Sequence, residues 1–436
     1  MPSPAASPLY CRGVTPDWRA RILDEVDART DEMLGLLTEM VRAPSVSGSD
    51  EENQSQFDLG RAFDQLGLET DHWQVPLEQT LADPTFPGCE VPRTEAWGLV
   101  GRSPGRGDGA SLMLNGHIDV VPPGPADTWR TRDPWSGQVV GGNLHGRGAC
   151  DMKGGLVSAV WAVAAVRTSG APLRGDVLVA SVQGEEDGGL GSFATLQRGW
   201  RADACVIPEP TSLDIVPANA GALTFRLRIP GQATHASRHL EGISAIGKLW
   251  PIWQALQQLE QARNTHVDPL FARWELPYPI CIGTVSSGVW ASSVPDLLVA
   301  EGRLGVAIDE PVETARAAFE EAVADACERD GWLRHHPVEV EWWGGQFASG
   351  RLSPGSPLLK QMRAAHEAVA GGRRQQVWGA SYGSDLRLME AAGVPTLQYG
   401  PGDAALAHST DELVPVAEVR TAARALALLA LDICGV

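Results

Sequence analysis

No stretch of the sequence reads as a membrane span, and none reads as a leader. The start, Met-Pro-Ser-Pro-Ala-Ala-Ser-Pro, has neither the basic end nor the apolar core of a signal peptide. Cysteine is sparse and unpaired in its spacing: seven residues, at 11, 89, 150, 205, 281, 327 and 434, an odd number that fits reduced thiols better than a disulfide framework. Positive charge is also short, with 35 Lys and Arg against 54 Asp and Glu and a net charge of -19. That balance argues against nucleic acid and anionic membranes as partners. There is no low-complexity tract and no internal repeat. These absences lead us to expect a soluble, cytoplasmic protein.

What is present is a folded chain, 43% hydrophobic and 20% charged. At 436 residues it exceeds what one core usually supports, so two domains are expected. Apolar residues at helical spacing predict one helix over residues 17–40, with Ile22, Val26, Met33, Leu36 and Leu37 inward, and another over 53–66. Apolar strands then alternate with helices, at about 69–75, 112–117, 176–182 and 204–207. This is the pattern of an α/β fold, a mostly parallel sheet covered by helices on both faces. From about residue 218 the texture changes to half-buried strands with two helices, which predicts an inserted α+β lid. The expected division is a discontinuous catalytic domain, 1–217 with 346–436, around a lid and dimerisation domain at 218–345.

The stretch from Leu112 to Gly155 organises the chemistry. An apolar strand ends in Gly116-His117-Ile118-Asp119, and residues two apart on a strand face the same side. A metal-bound imidazole usually gives its second nitrogen to a carboxylate, so His117 reads as a ligand and Asp119 as its orienter. Asp151 follows a Gly-rich turn and precedes the apolar segment 154–166, which predicts a buried helix. Twice more a strand delivers an acid at its C-terminal end, at Gly184-Glu185-Glu186-Asp187 and at Pro208-Glu209-Pro210. Open α/β sheets place their ligand sites there. His408 completes a set with His117, Asp151, Glu186 and Glu209.

Two imidazoles and three carboxylates suit two divalent ions with one carboxylate bridging, and zinc is the usual occupant of such nitrogen and oxygen sites. Adjacent Glu185 and Glu186 cannot both point at the metal from an extended chain, so one ligates while the other is free to move a proton. Taken singly, His117 would read as a packed core histidine and the acidic run as a solvated turn. Their joint occurrence at strand ends decides for a metal site.

With these residues assembled, the chain resembles the M20 metallopeptidase family, the group containing acetylornithine deacetylase, succinyl-diaminopimelate desuccinylase, aminoacylase-1 and carboxypeptidase G2. The likeness rests on Gly116-His117-Ile118-Asp119, Gly146-Arg-Gly-Ala-Cys-Asp151-Met-Lys-Gly-Gly, Gly184-Glu185-Glu186, Pro208-Glu209-Pro-Thr, Gly400-Pro-Gly and His408. It implies Glu185 as general base, Asp151 bridging two zinc ions, His117 and Glu209 on one ion, and Glu186 and His408 on the other. Cobalt or manganese are the expected substitutes. It also implies a cis peptide bond after Asp151.

In the inserted segment the resemblance assigns His235 to a partner subunit's site, where it would hold the oxyanion of a homodimer, and Arg303 to a substrate carboxylate. Where relatives carry Asn before Val-Val-Pro-Asp, this chain has Ser292, the substrate contact that departs from the pattern. The implied activity is cleavage of the amide bond of an N-acyl amino acid or related N-acyl amine, most like acetylornithine deacetylase. A dipeptidase or carboxypeptidase on the same site is the alternative, and a catalytically silent binding homologue is a third reading.

Overall fold

The computed structural model describes residues 17–436, so Cys11 and the opening segment lie outside the described residues. Its centre is a nine-stranded sheet. Strands Glu69–Gln74 and Trp97–Ser103 form one edge; Val177–Val182, Leu112–His117, Ala204–Ile207 and Thr396–Gln398 run parallel through the middle; Ile215–Asn219 and Gly350–Arg351 form the other edge, where Val377–Ala380 also pairs with Ile215–Asn219. Side-chain alternation assigns each strand to two cores at once. Leu112, Leu114, Val177, Val179, Ala204 and Val206 enter one apolar cluster, while Met113, Leu178, Ala180, Cys205 and Ile207 enter another on the opposite face.

The larger core is built around the helix Gly154–Ser169. It is apolar on every side and buried nearly throughout, because helices Trp18–Ala28, Thr30–Arg42 and Val416–Cys434 enclose it. By length and composition the helical stretch Ala149–Ser169 would suffice to cross a membrane, which the sequence reading did not anticipate; here it is packed inside the protein. Its start is pressed against a strand end. A Cβ placed on Gly155 would come within 1.8 Å of the Pro208 carbonyl oxygen, so only glycine lets the helix approach the segment carrying Glu209.

The second sheet is antiparallel, in the order Ile280–Ser287, Leu297–Val306, Gly221–Pro230, Glu339–Phe347. Helices Ala245–Arg263 and Val312–Arg329 cover one face and close a separate apolar cluster around Phe225, Leu227, Ile252 and Phe319. The chain enters this sheet across Ala220 and leaves it after Phe347. The two crossings lie side by side, since Ala222 pairs with Phe347 and Asn219 with Gly350.

Two expectations change. The single helix over 17–40 is two, Trp18–Ala28 and Thr30–Arg42, broken at Arg29, where the Thr30 hydroxyl donates to the Asp27 carbonyl at 3.0 Å. Strand Ile215–Asn219 was missed because Pro217 argues against a ladder position. It is tolerated because the Pro217 carbonyl accepts from the Leu352 amide at 2.8 Å and no proline N–H is needed there.

Two glycine substitutions test this packing with opposite signs. Gly155→Ala should destabilise the protein by about 1–3 kcal/mol through overpacking. Gly35→Ala, in an exposed helix with nothing within 4 Å of the added carbon, should stabilise it by about 1 kcal/mol. Urea unfolding midpoints of the two variants read both.

Candidate metal centre

The central strands end together. His117 pairs with Val182, and Leu114 with Val206, so the ends of the parallel strands bring His117, the turn Glu185–Glu186 and Glu209 to one rim of the sheet. Asp151 arrives from the turn Ala149–Lys153 that begins the central helix, and the peptide bond after it is cis. His408 arrives from the loop after the short helix Ala404–Leu406, with a left-handed backbone at φ 60°.

These six side chains converge. His117 Nε2 lies 3.1 Å from Asp151 Oδ1, while His408 Nε2 lies 3.5 Å from Asp151 Oδ2 and 3.1 Å from Glu186 Oε2. One carboxylate therefore turns one oxygen to each imidazole. Donor atoms of His117, Asp151 and Glu186 fall within 4.8 Å of one another, and so do those of His117, Glu185 and Glu209.

Burial governs the electrostatics. It pushes the carboxyls of Glu185 and Glu209 well above the usual range, helped by Asp385 for the first and Asp151 for the second, and it raises Glu186 as well. For Asp151 burial acts upward too, but hydrogen bonds from His117 and His408 outweigh it and hold the group below the usual range. Burial would lower His117; Asp151 and the charges of Glu209 and Asp119 reverse this and hold it well above its ordinary value. Asp151 and Glu186 push His408 up to about 11.

So many acids facing two imidazoles in a buried rim form a site short of positive charge. The donor set is nitrogen and oxygen only, of the kind that suits borderline divalent ions, and such ions would remove the mutual repulsion of the carboxylates.

The layer behind the ligands departs from expectation at Asp119. His117 Nδ1 lies 2.9 Å from the backbone carbonyl of Asp119 and 3.7 Å from its Oδ1, so the carbonyl, not the carboxylate, orients the ring. The carboxylate is engaged elsewhere. It accepts from the amides of Glu185 and Glu186, both at 3.3 Å, and from the Ser47 hydroxyl at 2.8 Å, and thereby holds the acidic turn. Glu52 supports the same turn by accepting from the Gly184 amide at 3.0 Å, and Arg93 bonds Asp187 at 2.9 Å.

Glu412 does this for the turn that carries Asp151. Its Oε1 accepts from the amides of Cys150 and Asp151 at 3.0 and 3.1 Å, and its Oε2 from buried Arg147 at 2.5 Å. Sequence reading passed over Glu412 and Glu52. The available signal was their placement in the motif runs, four residues after His408 and just past the Val46-Ser47-Gly48 turn.

A cavity of about 260 Å³ opens onto the cluster, lined by Asp151, Glu185, Glu186, Glu209, Tyr382 and His408 among others. Five sequence-predicted residues are not in its wall: His117 and Asp119 are buried behind it, and His235, Ser292 and Arg303 lie away from it. His235 is exposed, with Nδ1 2.8 Å from the Ser237 hydroxyl, and Ser292 is exposed beside it, its carbonyl accepting from the Ala236 amide at 2.9 Å. Arg303 bonds Glu90 Oε1 at 2.8 Å.

Glu412→Gln should keep the fold but loosen the Asp151 turn, weakening metal retention by about 10- to 100-fold, as is typical when a group behind a metal ligand is changed. Metal content after dialysis against graded chelator measures this.

Comparison with known proteins accords with the geometry. The family model for peptidase family M20/M25/M40 matches residues 113–432. The chain is 26% identical to N-formyl-4-amino-5-aminomethyl-2-methylpyrimidine deformylase of Halalkalibacterium halodurans, over 91% of this chain and 93% of that protein. It is 32% identical to succinyl-diaminopimelate desuccinylase of Leptothrix cholodnii, over 72% and 80%. Among solved structures, the di-peptidase Dug1p of Saccharomyces cerevisiae superposes with a TM-score of 0.74 at 16% identity, covering 94% of this chain and 97% of that one. YXEP of Bacillus subtilis, a dinuclear metal binding peptidase, superposes at 0.63 with 18% identity, over 94% and 99%. At such identities the structures speak for the fold. The matched span and the rim of ligands it carries make this chain a hydrolase of the M20/M25/M40 peptidase family.

Proposed function

We propose that the protein hydrolyses the amide bond of a small N-acyl amine or N-acyl amino acid at a two-metal centre, with zinc as the resident ion and cobalt or manganese as substitutes. The observation that carries this reading is Asp151, whose two oxygens face His117 and His408 with Glu186 alongside, while Glu185 and Glu209 gather on His117. His117 and Glu209 would hold one ion, Glu186 and His408 the other, and Asp151 both. Bound divalent ions supply Lewis acidity, which polarises a carbonyl and acidifies water.

The chain's own residues do the rest. Glu185, whose carboxyl burial raises, takes a proton from the attacking water. The water oxygen bonds to the acyl carbon, the C–N bond breaks, and Glu185 returns the proton to the leaving amine. Atoms balance as one carboxylic acid and one amine.

Relatives that match along the sequence support deacylation over peptide cleavage. They are a formyl-amine deformylase and succinyl-amine desuccinylases, whereas the dipeptidase likeness is one of fold. The expected leaning toward acetylornithine deacetylase widens accordingly, and formyl, acetyl and succinyl stand as equal candidates for the acyl group. A panel of N-formyl, N-acetyl and N-succinyl amines and amino acids, with dipeptides as the opposing arm, tests this. Dipeptide turnover without deacylation would overturn the reading.

We further propose that residues 218–345 form a lid through which two chains pair, with His235 and Ser292 meeting substrate in the partner's site and Arg303 reaching a substrate carboxylate once Glu90 lets go. Support comes from the second sheet's outer surface. Strand Ile280–Ser287 is an edge strand, and Ile246, Trp250, Val289 and Trp290 are 56%, 63%, 99% and 72% exposed. A reducing, cytoplasmic setting is proposed as well, supported by the described cysteines, all of which are free.

Glu185→Gln should abolish turnover and retain metal, whereas Glu186→Ala should lose metal; metal content and kcat measured together would expose an exchange of roles. Mixing Glu185→Ala chains with His235→Ala chains should restore part of the activity. If subunits exchange and none returns, His235 does not act across an interface.

A further inference from the structure

The wall of the cavity is rich in acceptors and poor in donors. Asp151, Glu185, Glu186 and Glu209 are acids, Pro210, Gly383, Ala404 and Ala407 offer no polar side chain, and His408 is engaged by Asp151 and Glu186. That leaves Tyr382. Its hydroxyl is buried and has no hydrogen-bond partner among the described residues. A phenol is a donor at neutral pH, and a buried donor left without an acceptor is a cost that a phenylalanine at this place would not incur.

The surroundings hold this ring still. It packs against Val216, Trp378 and Ala380, with Trp274 beside it. On one side the Ala380 carbonyl accepts from the Ala220 amide at 2.8 Å. On the other, the Ser384 hydroxyl accepts from the Leu386 amide at 3.2 Å, and the Ser384 carbonyl accepts from buried Arg387 at 2.8 Å. Gly383 is equally constrained, because a Cβ there would meet the Phe347 ring at 2.7 Å. A donor fixed in advance in a water-poor site needs no reorganisation when charge develops in front of it.

Amide hydrolysis puts negative charge on the acyl oxygen as the water bonds to carbon. We propose that Tyr382 is a catalytic residue whose hydroxyl donates a hydrogen bond to that oxygen as it becomes an oxyanion. The proposal rests on the amide-hydrolase reading above and adds a donor that belongs to the same chain as the metal ligands, independent of any partner subunit. No bond to Tyr382 forms or breaks, and its proton stays on the phenol.

The test is Tyr382→Phe, which removes one oxygen and keeps the ring, assayed on whichever acyl amine of the panel the wild type cleaves best. The expected result is a kcat lower by about 10²- to 10³-fold, as for loss of one oxyanion donor, with KM within about twofold, metal content unchanged and a melting temperature equal to or above that of the wild type. A phosphonate analogue of that substrate should bind the variant more weakly by a similar factor, while product amine inhibits both proteins equally.

Wild-type turnover is read first. Its absence overturns the amide-hydrolase reading and the Tyr382 assignment with it. An active wild type with a variant inside twofold overturns the Tyr382 assignment alone. So does a variant that loses metal, which would make the phenol a support for the ligands, or one whose KM rises at constant kcat, which would make it a contact to resting substrate.

Discussion

Like charge confined in a small volume is the constraint on which this protein is built. Glu185, Glu186, Glu209 and Asp151 meet at one rim, and burial there opposes the ionised form of every one of them. Such a cluster can be held together only if the backbone around it is over-determined. The protein answers with a second circle of acids that bind no ligand position: Asp119 gathers the amides of Glu185 and Glu186, Glu52 that of Gly184, and Glu412 those of Cys150 and Asp151. Each converts its charge into hydrogen bonds that fix a turn.

How much of this could be read in advance follows from where the information lies. The meeting of His117, Asp151, Glu186 and Glu209 was legible because each follows an apolar strand or a Gly-rich turn, and local patterning reports such positions; His408, which follows a short helix, was legible only as the second imidazole of the set. The alternating faces of strands 112–117 and 177–182 were legible for the same reason. Glu412, Glu52 and Arg93 were not, because the partners that join them to the site are 41 to 265 residues away in sequence and nothing periodic marks them. Tyr382 was hidden inside a loop that reads as glycine-rich punctuation. Asp119 shows a subtler limit: its proximity to His117 was correctly inferred, but which of its oxygens does the orienting depends on a turn 66 residues further on.

Pro217 and Arg29 mark the places where local rules lost to tertiary context. A proline argues against a strand, yet Ile215–Asn219 sits in the sheet because its proline faces a neighbour that needs only an acceptor. A continuous apolar stripe argues for one helix, yet Arg29 breaks it and Thr30 caps the end, so that both halves still bury their stripes against the central helix.

The paired crossings between the two sheets have a mechanical meaning. Two strands that leave and return side by side make a ribbon, and a ribbon bends about one axis far more easily than it shears or stretches. The two crossings therefore join the sheets over one narrow span, with Ala222 beside Phe347 and Asn219 beside Gly350. Away from that ribbon the sheets are tied again at Glu90, which accepts from the Thr224 hydroxyl at 2.8 Å and from Arg303 at 2.8 Å while Asp187 holds its amide at 3.1 Å, and at Trp274, whose indole donates to the Gly379 carbonyl at 2.7 Å. Asp187 directly follows the two glutamates of the metal rim. Glu90 thus links the second sheet, through Asp187, to the turn that carries Glu185 and Glu186, so the packing of the one bears on the placing of the other.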